Sequence, residues 1–106
     1  MEAKIKTYKE FYEFYLKQHS HKTCRLLHVI GTTIVFALII TAIYHSNYKL
    51  LLFVPLAGYS FAWIGHFFFE KNKPATFKYP LWSLKSDFKM YFDILQGKIS
   101  LDSSKD

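Results

Sequence analysis

Two apolar runs constrain this chain more than any other feature. Leu26 to Tyr44 reads LLHVIGTTIVFALIITAIY without a formal charge, and Leu50 to Phe69 reads LLLFVPLAGYSFAWIGHFFF. Each is about as long as a helix must be to cross a hydrocarbon layer roughly 30 Å thick. Only His45, Ser46, Asn47, Tyr48 and Lys49 separate them, and so short a connection forces a tight antiparallel hairpin. Pro55, Gly58 and Gly65 are costly inside a soluble helix but commoner in membrane helices. The alternative, two buried helices of a soluble core, needs more covering protein than 106 residues supply. The expected fold class is therefore all-α: an integral membrane helical hairpin with transmembrane helices at 26–44 and 50–69, in a single membrane domain, 1–106.

The flanks predict two further helices. Residues 1–18 place Ile5, Tyr8, Phe11, Tyr12 and Tyr15 or Leu16 at helical spacing among lysines and glutamates. That pattern suits an amphipathic helix at a membrane interface, or one packed on the rest of the chain. Residues 81–95 repeat it with Leu84, Phe88, Tyr91 or Phe92 and Leu95, and Ser83 or Ser86 is placed to cap the start. Between them, Pro74 and Pro80 predict an irregular loop, and Gly97 ends the last helix before a polar tail. No signal-peptide pattern opens the chain.

Charge orients the hairpin. Six Lys or Arg precede the first span, Lys49 alone lies in the hairpin loop, and seven follow the second span. The positive-inside rule then puts both termini in the cytoplasm. The net charge of +6 flanks apolar segments instead of forming one basic stripe, which argues for a membrane and against nucleic acid as partner. Gly31, Thr32, Ala37, Ala57 and Gly58 are small enough for close helix packing, as in a homodimer with a four-helix membrane core.

Four of the five histidines lie beside the two ends that this topology brings together. His19, His21 and His28 bracket the start of the first run, and His66 lies near the end of the second. Glu70 follows His66 by one helical turn and shares its face. Imidazole is a common ligand for iron, zinc and copper, and histidines with a carboxylate form the site of non-haem Fe(II) oxygenases. His21 and His28, seven residues apart, lie about 10 Å apart along a continuous helix. His19 joins His28 only if the chain turns near Ser20 or Thr23. The duller readings are interfacial histidines, a Glu70 that stops the span or pairs with Arg25 or Lys73, and a Cys24 that is a small buried residue. A lone cysteine forms no disulfide within one chain. His45 belongs to the opposite end of the hairpin and reads as solvated.

FYEFYLKQHSHKTCRLLHVIGT and AGYSFAWIGHFFFEKNKPATFKYPLWSLKSDFKM carry a resemblance that covers nearly the whole chain. The sequence resembles, as a short bacterial-type member, the membrane family that includes the yeast 2-hydroxy fatty acid dioxygenase. The resemblance implies an Fe(II)-dependent enzyme of the bacterial inner membrane that uses O2 to shorten a 2-hydroxy fatty acid by one carbon. By it, His19, His28 and His66 are the proposed iron ligands, with His21 an auxiliary and Glu70 a ligand or supporting partner. A 2-hydroxy acid can chelate Fe(II) through its hydroxyl and carboxylate oxygens. Arg25, Lys71 or Lys73 would pair with the carboxylate, and Trp63 and Phe68, with Phe67 and Phe69, would line the acyl tail unless they form an aromatic belt. Two rivals stand beside this reading: a metal-dependent oxidase of another lipid, and a non-enzymatic membrane protein that organises lipid or a partner.

Overall fold

A computed structural model describes residues 5–73 and 78–102. Among the described residues the chain is entirely helical: α1 (Tyr8–Gln18), α2 (Lys22–Tyr44), α3 (Val54–Ile64) and α4 (Pro80–Leu95), with a 3-10 stretch at Tyr48–Phe53 and a π-helical turn at Gly65–Glu70 flanking α3. Residues 1–4 of the expected first helix, Pro74 and the end of the polar tail lie outside the described residues.

α1 starts where Thr7 accepts the Glu10 amide on its hydroxyl, 3.2 Å away. Its aromatic face does not lie open at a membrane surface; it is buried against α4, with Phe11, Tyr15 and Met90 fully enclosed. Phe11 meets Tyr79 and Trp82 at ring-centroid distances of 5.3 and 5.5 Å. Three tyrosines add a polar seam to this contact: Tyr8 shares a hydrogen bond with Ser86, Tyr12 donates to Asp93, and Tyr15 donates to Asp87. The helical period shows that α1 has an apolar face, but only the tertiary fold decides what covers it. Ser83 and Ser86 are likewise no caps, since α4 begins at Pro80 and both serines are buried. α4 turns Leu81 and Leu95 outward, 79% and 61% exposed, which keeps an apolar outer surface there.

α2 begins a turn earlier than its apolar run because His21 caps it, the imidazole Nδ1 accepting the Thr23 amide at 3.1 Å. It ends at Tyr44, where Ser46 takes the left-handed conformation that turns the chain back. α2 and α3 then pack as the expected hairpin, and both α2 and the stretch Tyr48–Glu70 are long and apolar enough to cross a membrane. Pro55 sits in the first turn of α3, where its missing N–H costs nothing. Gly31, Ala57 and Gly58 allow close packing within the hairpin itself: a Cβ on Gly31 would stand 3.1 Å from the Phe61 Cβ and 3.4 Å from the Ala57 carbonyl oxygen. At Gly65 the approach is closer still, 2.9 Å to the Cys24 Sγ and 3.1 Å to its Cα.

Candidate metal centre

Three elements meet at the end of the hairpin that the histidines flank. His19 closes α1 as its C-cap, His28 projects from the second turn of α2, and His66 stands in the π-helical turn after α3. The break that His19 requires is present at His19–Ser20–His21. π-turns insert an extra residue and are frequent at functional sites; here the turn carries His66.

All three rings are buried. His19 Nε2 lies 3.0 Å from His28 Nε2, and the His66 ring centroid is 4.3 Å from that of His19 and 5.2 Å from that of His28. Cys24 joins them, so that one ligand atom from each of the four residues lies within 4.8 Å of every other. From sequence Cys24 is expected as a small buried residue, although its i,i+4 spacing to His28 on α2 puts both on one face.

The hydrogen bonds fix which nitrogens face the centre. His19 Nδ1 is 2.6 Å from the Tyr15 carbonyl and His28 Nδ1 is 2.8 Å from the Cys24 carbonyl, so each must donate from Nδ1. His66 Nδ1 meets the Asn72 Oδ1 at 2.8 Å. The Asn72 amide cannot be reversed, because its Nδ2 donates to the Gln18 carbonyl at 3.1 Å. Each neutral ring therefore carries its proton on Nδ1 and a lone pair on Nε2. Burial beside two other imidazoles also holds His19 well below the ordinary imidazole range, so it is uncharged at neutral pH. Two lone pairs facing across 3.0 Å repel unless a cation lies against them. Three imidazole nitrogens, each with an oriented partner behind its ring, and a thiol close by fit a transition metal. The expected outcome for Asn72→Leu, which leaves the His66 ring unanchored, is a 10- to 100-fold loss of metal affinity, measurable by competition with a chelator. Unchanged affinity would show that the anchor is immaterial.

The other expected site residues are placed differently. His21 is exposed, caps α2 and tilts against Phe69 at 5.3 Å, and it stands outside the cluster. Glu70 accepts the His21 amide and the Ser20 hydroxyl; it clasps the α1–α2 junction and offers the centre no oxygen. Arg25 is fully buried and donates to the carbonyls of His19, Ser100 and Leu16, so its guanidinium is committed to the fold instead of a substrate carboxylate. Lys71 and Lys73 are exposed, and Lys71 takes a left-handed turn at the end of the π segment. His45 is exposed in the hairpin loop, as expected.

A cavity of about 170 Å³ reaches the centre at His28. Its walls come from α2, α3 and α4, among them Val35, Val54, Ala62, Leu84 and Phe88. Trp63, Phe67, Phe68 and Phe69 are not part of this wall, and Phe68 points outward with 71% of its surface exposed. Asp87, which no sequence pattern singled out, lines the cavity. Burial pushes its carboxyl up to about 7, with a smaller opposing effect from the Tyr15 hydroxyl.

The folded chain therefore keeps a proton on Asp87 that the unfolded chain releases above its ordinary 3.8. That contribution to stability is complete below the unfolded value and is lost as pH rises through about 7. Compared with the parent, Asp87→Asn should gain thermal midpoint in detergent as pH rises from about 4.5 to about 7.5, then level off. Parallel pH curves would refute this assignment.

A family model described as 2-hydroxy-palmitic acid dioxygenase Mpo1-like matches residues 5–99. The chain belongs to the Mpo1-like family. The match takes in all four helices and every member of the His19, Cys24, His28 and His66 cluster. No curated protein and no solved structure matches the chain. A dioxygenase-like role on 2-hydroxy fatty acids is what membership suggests, and the buried cluster could hold the metal such a role requires.

Proposed function

We propose that this chain is a membrane-embedded, Fe(II)-dependent dioxygenase that shortens 2-hydroxy fatty acids by one carbon. One observation carries the reading: three buried imidazoles turn their bare Nε2 atoms toward one centre at the end of an apolar cavity. His19, His28 and His66 hold the metal, and Cys24 lies beside them as a further donor. Bound iron supplies the redox chemistry with O2. The chain's own contribution is to orient the ligands through Tyr15, Cys24 and Asn72 and to receive the acyl tail. From His28 to Val35 the cavity follows seven residues of α2, about 10 Å. That depth takes the first part of the tail and leaves the rest to the bilayer. Lys71 and Lys73, exposed at the same end, attract the carboxylate.

A lipid environment is supported by the outer surface. Ile40, Leu52 and Leu56 are 66%, 78% and 62% exposed on the hairpin, a large apolar surface for a chain in water. With the basic residues gathered at the opposite end from Asn47, both termini face the cytoplasm of a bacterial inner membrane. Asn47→Cys should be labelled from outside intact cells, against little background because Cys24 is buried.

The activity is tested with iron-loaded protein in detergent, a 2-hydroxy C16 acid and O2. The expected product is the C15 acid, formed only with iron and oxygen present. Bound iron without consumption of the acid would instead favour another lipid substrate.

A further inference from the structure

The cavity beside the metal centre is apolar along most of its wall, but polar side chains enter it from all three helices: His28 and Thr32 from α2, Tyr59 from α3, and Asp87 from α4. Asp87 is the single carboxyl in that lining. The Tyr15 hydroxyl donates to its Oδ1, and Tyr15 is itself packed against the His19 ring at a centroid distance of 3.9 Å. The carboxyl is thus tied to the same element that presents a metal ligand. Its second oxygen, Oδ2, takes no hydrogen bond from the described residues. A wall built only for a hydrocarbon tail gains nothing from a carboxyl, and Asp87, half-buried and holding the Tyr15 hydroxyl on one oxygen, keeps the other for whatever enters the cavity.

We infer that Asp87 is a specificity-determining residue that accepts the hydrogen of the substrate's 2-hydroxyl group, so that the cavity selects 2-hydroxy acids over unsubstituted ones. The inference rests on the substrate reading above. A 2-hydroxy acid carries its O–H donor on the carbon next to the carboxylate. With its head at the metal centre and its tail along Val35 and Val54, that donor lies in the polar part of the cavity. An unsubstituted acid fills the same space but brings no hydrogen-bonding group to the second carboxyl oxygen. Sites that hydrogen-bond a substrate hydroxyl discriminate strongly against the analogue that lacks it, for this reason.

The test measures binding of a 2-hydroxy C16 acid and of the unsubstituted C16 acid to full-length iron-loaded protein at roughly pH 8.5, where Asp87 has released the proton it keeps below about 7, and under anaerobic conditions, where no turnover occurs. The parent should prefer the hydroxy acid. In Asp87→Leu, which keeps the side-chain volume and removes the acceptor, that preference should fall about tenfold, with iron content unchanged and the unsubstituted acid bound at least as tightly. An unchanged preference, or an equal loss for both acids, would overturn the assignment. A parent that prefers neither acid would instead remove the substrate reading itself. If Asp87→Leu does not fold, the 2-methoxy C16 acid on the parent protein carries the test. It keeps the oxygen but has no hydrogen to give, so it should bind about tenfold more weakly than the hydroxy acid; equal binding would overturn the inference.

Discussion

On the proposed function, His28→Ala and His66→Ala should each lose most of the bound iron, and turnover of a 2-hydroxy acid should fall by more than the 10- to 100-fold that follows removal of a supporting group. Both rings are buried, and both bring an Nε2 lone pair to the centre, so alanine removes a candidate ligand atom. His45→Ala, in the exposed hairpin loop, is the internal control and leaves iron and activity unchanged. Glu70→Ala should fall between them, because Glu70 holds the junction that carries His19 without touching the centre. Full iron stoichiometry in His66→Ala would show that the cluster is only a set of packed interior histidines.

Arg25→Met abolishes folded protein or nearly so. The guanidinium donates to the His19 carbonyl and the Ser100 carbonyl at 2.6 Å each and thereby ties the α1–α2 junction to the segment after α4. Methionine keeps much of the bulk but leaves the buried His19 acceptor without its donor, at about 1–3 kcal/mol, and the half-buried Ser100 acceptor at less. The combined loss is a large part of the 5–15 kcal/mol that a small domain has in total. The melting temperature and the yield of monodisperse protein in detergent measure it. A stable Arg25→Met variant whose only defect is weaker substrate binding would restore Arg25 as a carboxylate partner.

Arg25 also marks where the sequence stops being informative. A lone arginine just before an apolar run looks like an interfacial charge, and nothing in its neighbours announces that the chain after α4 returns to cover it. The hairpin was legible, because apolar length and a five-residue connection leave little choice of topology. So was the meeting of His19, His28 and His66, once the chain was required to turn near Ser20. The agent of that turn was not: His21 supplies the cap and so leaves the ligand set. Its spacing to His28 carries no sign of which way the ring faces. Asn72 and Asp87 come to the site from segments whose position only the tertiary fold defines, and Glu70 shares a helical face with His66 only if the turn is α rather than π. The Phe-rich end of the second span was equally ambiguous, since an aromatic belt and a substrate wall have the same composition; the cavity lies on another face.

X-ray absorption at the iron edge of full-length protein, reconstituted anaerobically with Fe(II), addresses the three imidazoles directly. The prediction is one iron per chain with a coordination shell dominated by imidazole nitrogen, lost in His66→Ala. Absence of bound iron, or an iron surrounded by oxygen donors alone, would contradict it.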